Sequence, residues 1–142
     1  MPISLNASFT GVAPTDVEFE HPEGAAIARL LRQAAQAKGW VAGDPDNWRD
    51  TGWSVLCSRA SAKLECVIAA VGEAQWMCQV APEVVPGLFG RALGKRPSAS
   101  QAEIFELAQL VHSALSASRV YGEFRWRWDG PPNPDSDPVQ SA

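Results

Sequence analysis

The sequence predicts an α+β fold: an antiparallel sheet of four to five strands with two helices packed on one face, in the order β-α-β-β-β-α-β. Three observations point there. Between Gly52 and Val80, three stretches alternate apolar and polar residues, as half-buried strands do. Two other stretches repeat apolar residues at helical spacing, and a last one near the C-terminus returns to period two. Each helix has one apolar stripe and the sheet has one strongly apolar face, so both helices belong on the same side of it.

The elements follow in chain order. Ile3, Leu5, Ala7 and Phe9 alternate with polar residues and predict an edge strand, with Val17 and Phe19 adding a short second one. From Pro22 to Lys38, Ile27, Leu30, Leu31, Ala34 and Ala37 recur at helical spacing, with Pro22 in the first turn and Gly39 past the end. Gly43 to Asp50 reads as a polar loop rich in Asp, flanked by Trp40 and Trp48 as lids over one end of the core.

The meander comes next. Trp53, Val55 and Cys57 share one parity, Leu64, Cys66, Ile68 and Ala70 the next, and Trp76, Cys78 and Val80 the third. A one-residue slip reverses every side chain, so the register must keep these on one face. Pairing Trp53 with Ala70, Val55 with Ile68 and Cys57 with Cys66, then Ile68 with Trp76, Cys66 with Cys78 and Leu64 with Val80, does so. It sets the three cysteines side by side, with Gly72 as the permissive backbone of the second turn. Pro82 and Pro86 close the segment.

Pro86 to Pro97 predicts a short helical turn and a loop. Ser100 and Glu103 match the S-x-x-E capping box, so the second helix starts there and runs to about Ser116, burying Ile104, Leu107, Ala108, Val111 and Leu115. In the last strand, Tyr121 to Asp129, Phe124, Trp126 and Trp128 face one side and Glu123, Arg125 and Arg127 the other. Residues 1–130 read as a single domain and 131–142 as a disordered, acidic, Pro-rich tail.

Composition narrows the function. The chain has 142 residues, is 46% hydrophobic and carries a net charge of −4. That charge argues against a nucleic-acid partner, which draws on clustered Lys and Arg, and favours a basic one. The first twenty residues lack a basic start followed by a long apolar run, so neither a membrane association nor a signal peptide is expected and the location is cytoplasmic. The three cysteines lack zinc-site spacing and read as reduced core residues.

Catalytic equipment is not predicted. The Gly/Lys stretch fails the phosphate-loop pattern, because Phe89 stands five residues before Gly94 and Arg96 follows Lys95. His21 and His112 are the two histidines, and the cysteines lie on the core face, away from any base. Asp44, Asp46 and Asp50 could form paired carboxylates, although loop aspartates are usually turn formers. No catalytic residue, metal site or cofactor is expected, and the chain reads as a non-enzyme.

What remains is surface. Leu56, Val67, Ala69 and Met77 project from the face opposite the helices, joined by Gln75, Gln79, Arg125 and Arg127 if the last strand lies beside the meander. Such a mixture is too apolar for solvent and too polar for a core; it suits a protein partner, a second copy of the chain or internal cover. Asp44, Asp46 and Asp50, with Glu18, Glu20 and Glu23, offer a second surface that could steer a basic partner. The candidate partner-binding residues are therefore Leu56, Met77, Arg125, Arg127, Asp44, Asp46 and Asp50.

The C-terminal half carries Gly87-Leu88-Phe89-Gly90, then Gly94-Lys95, a capped helix with His112, and Arg125-Trp126-Arg127-Trp128-Asp129-Gly130-Pro131. Over about residues 84–132 this order resembles small bacterial proteins of the immunity type. The resemblance implies neutralisation of a cognate toxin of polymorphic-toxin or contact-dependent secretion systems, by occlusion of its active site, and assigns no residue role. Two rivals fit the same composition: a dimeric secretion chaperone or effector adaptor, and a small ligand-binding domain with a pocket near Trp40, Trp48 and the Asp loop.

Overall fold

Side-chain parity builds the sheet. In the computed structural model, which describes residues 4–12, 23–83 and 99–129, the elements in chain order are β1 (Leu5–Thr10), α1 (Ala25–Ala37), β2 (Val41–Ala42), β3 (Asp46–Trp48), β4 (Gly52–Arg59), β5 (Ala62–Gly72), β6 (Gln75–Pro82), α2 (Gln101–Ala117) and β7 (Gly122–Trp128). The α+β class stands, but the antiparallel sheet has seven strands, in the order β2-β4-β5-β6-β1-β7, with β3 also paired to β4. Of the two added strands, β3 falls within the stretch read as a polar loop, Gly43 to Asp50, and β2 lies just before it. They lie end to end along the outer side of β4, against Ser58 and Cys57 and against Ser54 to Gly52.

The apolar faces fall as their parity demands. Val55, Cys66, Val80, Leu5 and Trp128 form one row across five strands, and Trp53, Ile68, Cys78, Ala7 and Trp126 form the next. The register within the meander differs from expectation by two residues. Cys57 opposes Leu64, Cys66 opposes Val55 and Val80, and Cys78 opposes Ile68. A two-residue shift preserves every face, so hydrophobic patterning alone does not choose between these registers. The turns choose. Ala60-Ser61 and Glu73-Ala74 are two-residue connections in which Ala60 (φ 53°) and Ala74 (φ 54°) take the left-handed conformation. Gly72, expected to supply it, instead follows a bulge at Val71.

β1 is not an edge strand. It lies between β6 and β7 and pairs with both along its length. Its alternation of Leu5, Ala7 and Phe9 with Asn6, Ser8 and Thr10 fits an inner strand because both described helices lie on one face of this sheet.

Both helices cover the other face. Ile27, Ala28, Leu31 and Ala35 of α1, and Ile104, Leu107, Ala108, Val111 and Leu115 of α2, join the same buried cluster as the strand residues. α1 begins at Ala25, three residues later than expected; Pro22, like Val17, Phe19, the Pro86–Pro97 segment and the tail, lies outside the described residues. It ends in a Schellman motif: Gly39, at φ 88°, donates to the Gln36 carbonyl and Trp40 donates to that of Ala35. α2 starts with the expected capping box, the Ser100 hydroxyl accepting from the Glu103 N–H at 3.2 Å and Glu103 accepting from the Ser100 N–H at 2.9 Å.

Trp40 is core rather than lid. It is 3% exposed, with the Arg59 guanidinium 4.2 Å from its ring centroid. Arg59 also pairs with Glu106, so the β4–β5 hairpin tip clamps the end of α1 to α2. Trp48, half-buried, lies under Arg49 at 5.0 Å.

These backbone features have measurable consequences. Ala60→Gly and Ala74→Gly relieve the left-handed cost of an L-residue and should each raise stability by about 0.5–1 kcal/mol in urea unfolding. Gly52→Ala should do the opposite. Its Cβ would lie 2.1 Å from the Ile68 carbonyl oxygen across the β4–β5 pair, and overpacking of this kind costs about 1–3 kcal/mol.

Candidate interaction surface

The reverse face can be read row by row from the strand pairing. Gly52, Ala69, Met77, Ser8 and Arg125 lie in line across β4, β5, β6, β1 and β7; Ser54, Val67, Gln79, Asn6 and Arg127 form the next row; Leu56, Glu65 and Ala81 the third. All the described helix residues of the core lie on the other side. Of the residues expected to project here, Leu56 is 45% exposed, Met77 is half-buried, and Arg125 and Arg127 are exposed. Val67 and Ala69 are not available. They are 1% and 4% exposed in the middle of the face, outside the main cluster, so the apolar content presented to a partner is smaller than the alternation implied.

The expected site residues do not form one patch. β1 separates β7 from the meander, so Arg125 and Arg127 stand at one margin while Leu56 lies four strand spacings away, about 19 Å. Met77 lies between, two spacings from Arg125, about 10 Å. The three aspartates sit beyond the opposite margin, beside β2 and β3. Asp44 pairs with Arg32 at 3.2 Å, Asp46 accepts from the Asn47 N–H, and the Asp50 N–H donates to the Asn47 side chain at 2.8 Å in a turn where Arg49 and Asp50 both have positive φ. These are turn-forming roles. The sheet thus carries its two arginines at the β7 margin, flanked there by Glu123 and Asp129, and its three aspartates at the β2/β3 margin. Glu23 lies just outside α1, and Glu18 and Glu20 lie outside the described residues.

Arg125 and Arg127 differ from the other charged groups described so far. Arg32 and Arg59 have carboxylate partners and Arg49 an aromatic one, whereas neither Arg125 nor Arg127 makes an ion pair or side-chain hydrogen bond with a described residue. Their polar neighbours are occupied. Ser4 donates to Asp129, Asn6 donates to Ser4, and Thr10 donates to the Gly122 carbonyl.

Inside the core, the three thiols share one face, as parity required, but step one row per strand. Cys66 and Cys78 are diagonal neighbours with sulfurs 3.7 Å apart. Diagonal positions hold Cα atoms about 7–8 Å apart, beyond the span a disulfide closes. All three are free and buried. Burial, with Cys66 nearby, pushes the Cys57 thiol up to about 12, and the hydrogen bond to Cys78, with burial, pushes Cys66 well up. Protonated, buried thiols are neither nucleophiles nor ready ligands. Among the described residues no group of three or more His, Cys, Asp and Glu is placed to hold a metal. His112 is held in a packing role: its Nδ1 accepts from the Trp126 indole N–H at 3.1 Å, and its ring lies edge-on to Phe124. His21 lies outside the described residues.

A groove of about 690 Å³ opens between the outer sides of α1 and α2, where Ala34, Ala37, Leu110 and Ala114 meet Lys38 and Glu106. None of Trp40, Trp48 and the loop aspartates, around which a ligand pocket was expected, lines it, although its Glu106 pairs with the Arg59 that stacks on Trp40. No local pattern marks it, because its walls come from two helices far apart in sequence. No described helix is long and apolar enough to cross a membrane. No family model matches the chain, and no curated protein matches it.

The thiol chemistry sets an alkaline limit. An unfolded Cys57 loses its proton near its ordinary value of 9.0 while the folded one holds it to about 12. Stability is therefore intact below pH 9 and falls from pH 9 to 12, by up to about 4 kcal/mol from this residue. Urea unfolding across that range should show a shallower decline in Cys57→Ala than in the parent; parallel declines would contradict the assignment.

Proposed function

We propose that the chain is a protein-binding module, without catalytic or cofactor chemistry of its own, that docks a partner on the face of its sheet opposite the two described helices. The specific reading is an immunity protein that neutralises a cognate bacterial toxin in the cytoplasm by occluding its active site. The observation that carries it is the pair Arg125 and Arg127, exposed and without carboxylate partners on a sheet face that also bears Met77 and the 45%-exposed Leu56. Uncompensated guanidinium groups on a sheet face that also presents partly exposed apolar side chains, Met77 about 10 Å and Leu56 about 19 Å away, suit a broad partner interface better than a solvated surface.

Mechanistically, such a module needs no reacting groups. Arg125 and Arg127 would engage carboxylates of the partner, Met77 and Leu56 would make separate apolar contacts farther across the face, and the bulk of the domain would block the cleft. The Asp44 to Asp50 loop, on the other margin, is the alternative contact, in which carboxylates stand in for an anionic substrate.

The test is co-purification and calorimetric titration with the product of the adjacent reading frame. A one-to-one complex is expected, weakened at least tenfold by Arg125→Glu or Arg127→Glu, together with relief of growth inhibition on co-expression. Binding unaffected by both reversals, or lost only when Asp44, Asp46 and Asp50 are neutralised, would remove this surface.

A further inference from the structure

The two margins of the sheet are built differently. Along β4, the outer side is occupied by β2, the Gly43 N–H bonded to the Leu56 carbonyl, and β3. Along β7 no described strand follows, although its alternation runs to Trp128. The direction of its free backbone groups can be derived. Asp129 donates its N–H to the Ser4 carbonyl at 2.9 Å, so by antiparallel alternation the groups of Arg127 and Arg125 turn inward to β1. Those of Trp126 and Phe124 turn outward, where they meet no described residue.

We propose that the outer side of β7 is a strand-addition site for an extended, acidic segment of a partner protein, with carboxylates at alternate positions facing Arg125 and Arg127. This rests on the protein-binding reading above and names the partner's chemistry. Across the outer ladder, Arg125 and Arg127 occupy the positions without backbone bonds, where opposed side chains come closest. A D/E-x-D/E segment therefore pairs both charges at once while its intervening residue exchanges backbone bonds with Trp126.

A second copy of the chain is the poorer occupant. Self-pairing centred on Arg125 opposes that residue to its own copy, and centring on Trp126 opposes Arg125 to Arg127, like charges that destabilise a pair. Centring on Phe124 would match Glu123 with Arg125, but Glu123 has φ 54° at the bulge in β7 and cannot continue the ladder. The acidic groups nearest the guest are Glu123 and Asp129, which flank the arginines and bring the formal charge over residues 123–129 to zero, so the attraction is to the two guanidinium groups themselves and not to a basic field. The aspartates of the far margin lie five spacings away, about 24 Å, against a screening length of about 8 Å at physiological salt.

The experiment is an NMR titration of the full chain with the capped peptide Thr-Glu-Val-Glu-Val-Glu-Thr. Slowed exchange of the Phe124 and Trp126 amides is expected. Affinity should fall at least tenfold when the two valines are N-methylated, which removes backbone donors and keeps the charge. It should fall similarly when Lys replaces Glu in the peptide, or with Arg125→Glu combined with Arg127→Glu. Equal binding of the N-methylated peptide, or shifts confined to Met77 and Leu56, would overturn strand addition and leave face docking standing. Absence of binding, or Phe124 and Trp126 protected in a concentration-dependent dimer without peptide, would overturn it too. Loss of the partner complex in calorimetry while the peptide still binds at β7 would instead remove the broader reading.

Discussion

Burial of the central strand on its helix-facing side is the constraint on which the remaining architecture depends. Leu64, Cys66 and Ile68 of β5 are each about fully buried, flanked on both sides by strands whose apolar residues share their parity. Shifting β5 by one residue would put Lys63 and Glu65 beneath the helices, where unpaired charge costs several kcal/mol, and Leu64 and Ile68 in contact with the other face. The helices then have one surface on which to settle. Their caps, the Ser100–Glu103 box and the Gly39 Schellman turn, fix where they stop rather than where they dock.

Face and register are separate quantities, and this chain divides them cleanly. The parity of the meander, the five buried positions of α2, its capping box and the inward aromatic row of β7 could all be read from residue spacing, because each is a local pattern with a physical period. Register within the hairpins could not. Any even shift satisfies the pattern, and the turn residues that decide it are alanines, which carry no sequence marker for a left-handed backbone. β2 and β3 were illegible for a related reason: Asp46-Asn47-Trp48 pairs through its backbone alone, with no alternation to betray it. β1 looked marginal because half its residues are polar, which is also what an inner strand contains when both described helices lie on one face of the sheet.

The same distinction applies to the surface. That Arg125 and Arg127 point away from the core follows from alternation in β7. That they stand four strand spacings from Leu56, and at the opposite margin from the aspartates, follows from strand order, which depends on which loops cross the sheet. A linear reading therefore sets the aspartates apart as a second surface but places Leu56, Met77 and the two arginines in one patch, which strand order spreads across the sheet. The buried state of Val67 and Ala69, on the side turned away from the main cluster, is likewise beyond what alternation can show, because parity assigns a face and not its cover.

Two stubby strands seal one flank, while no described strand pairs the outer side of the other, which makes the sheet directional. Sheets polymerise when both flanks can template a neighbour; here a newcomer stacked on the second flank would find nothing at the far side able to seat the next molecule. Addition there, as proposed above, would end with a single guest.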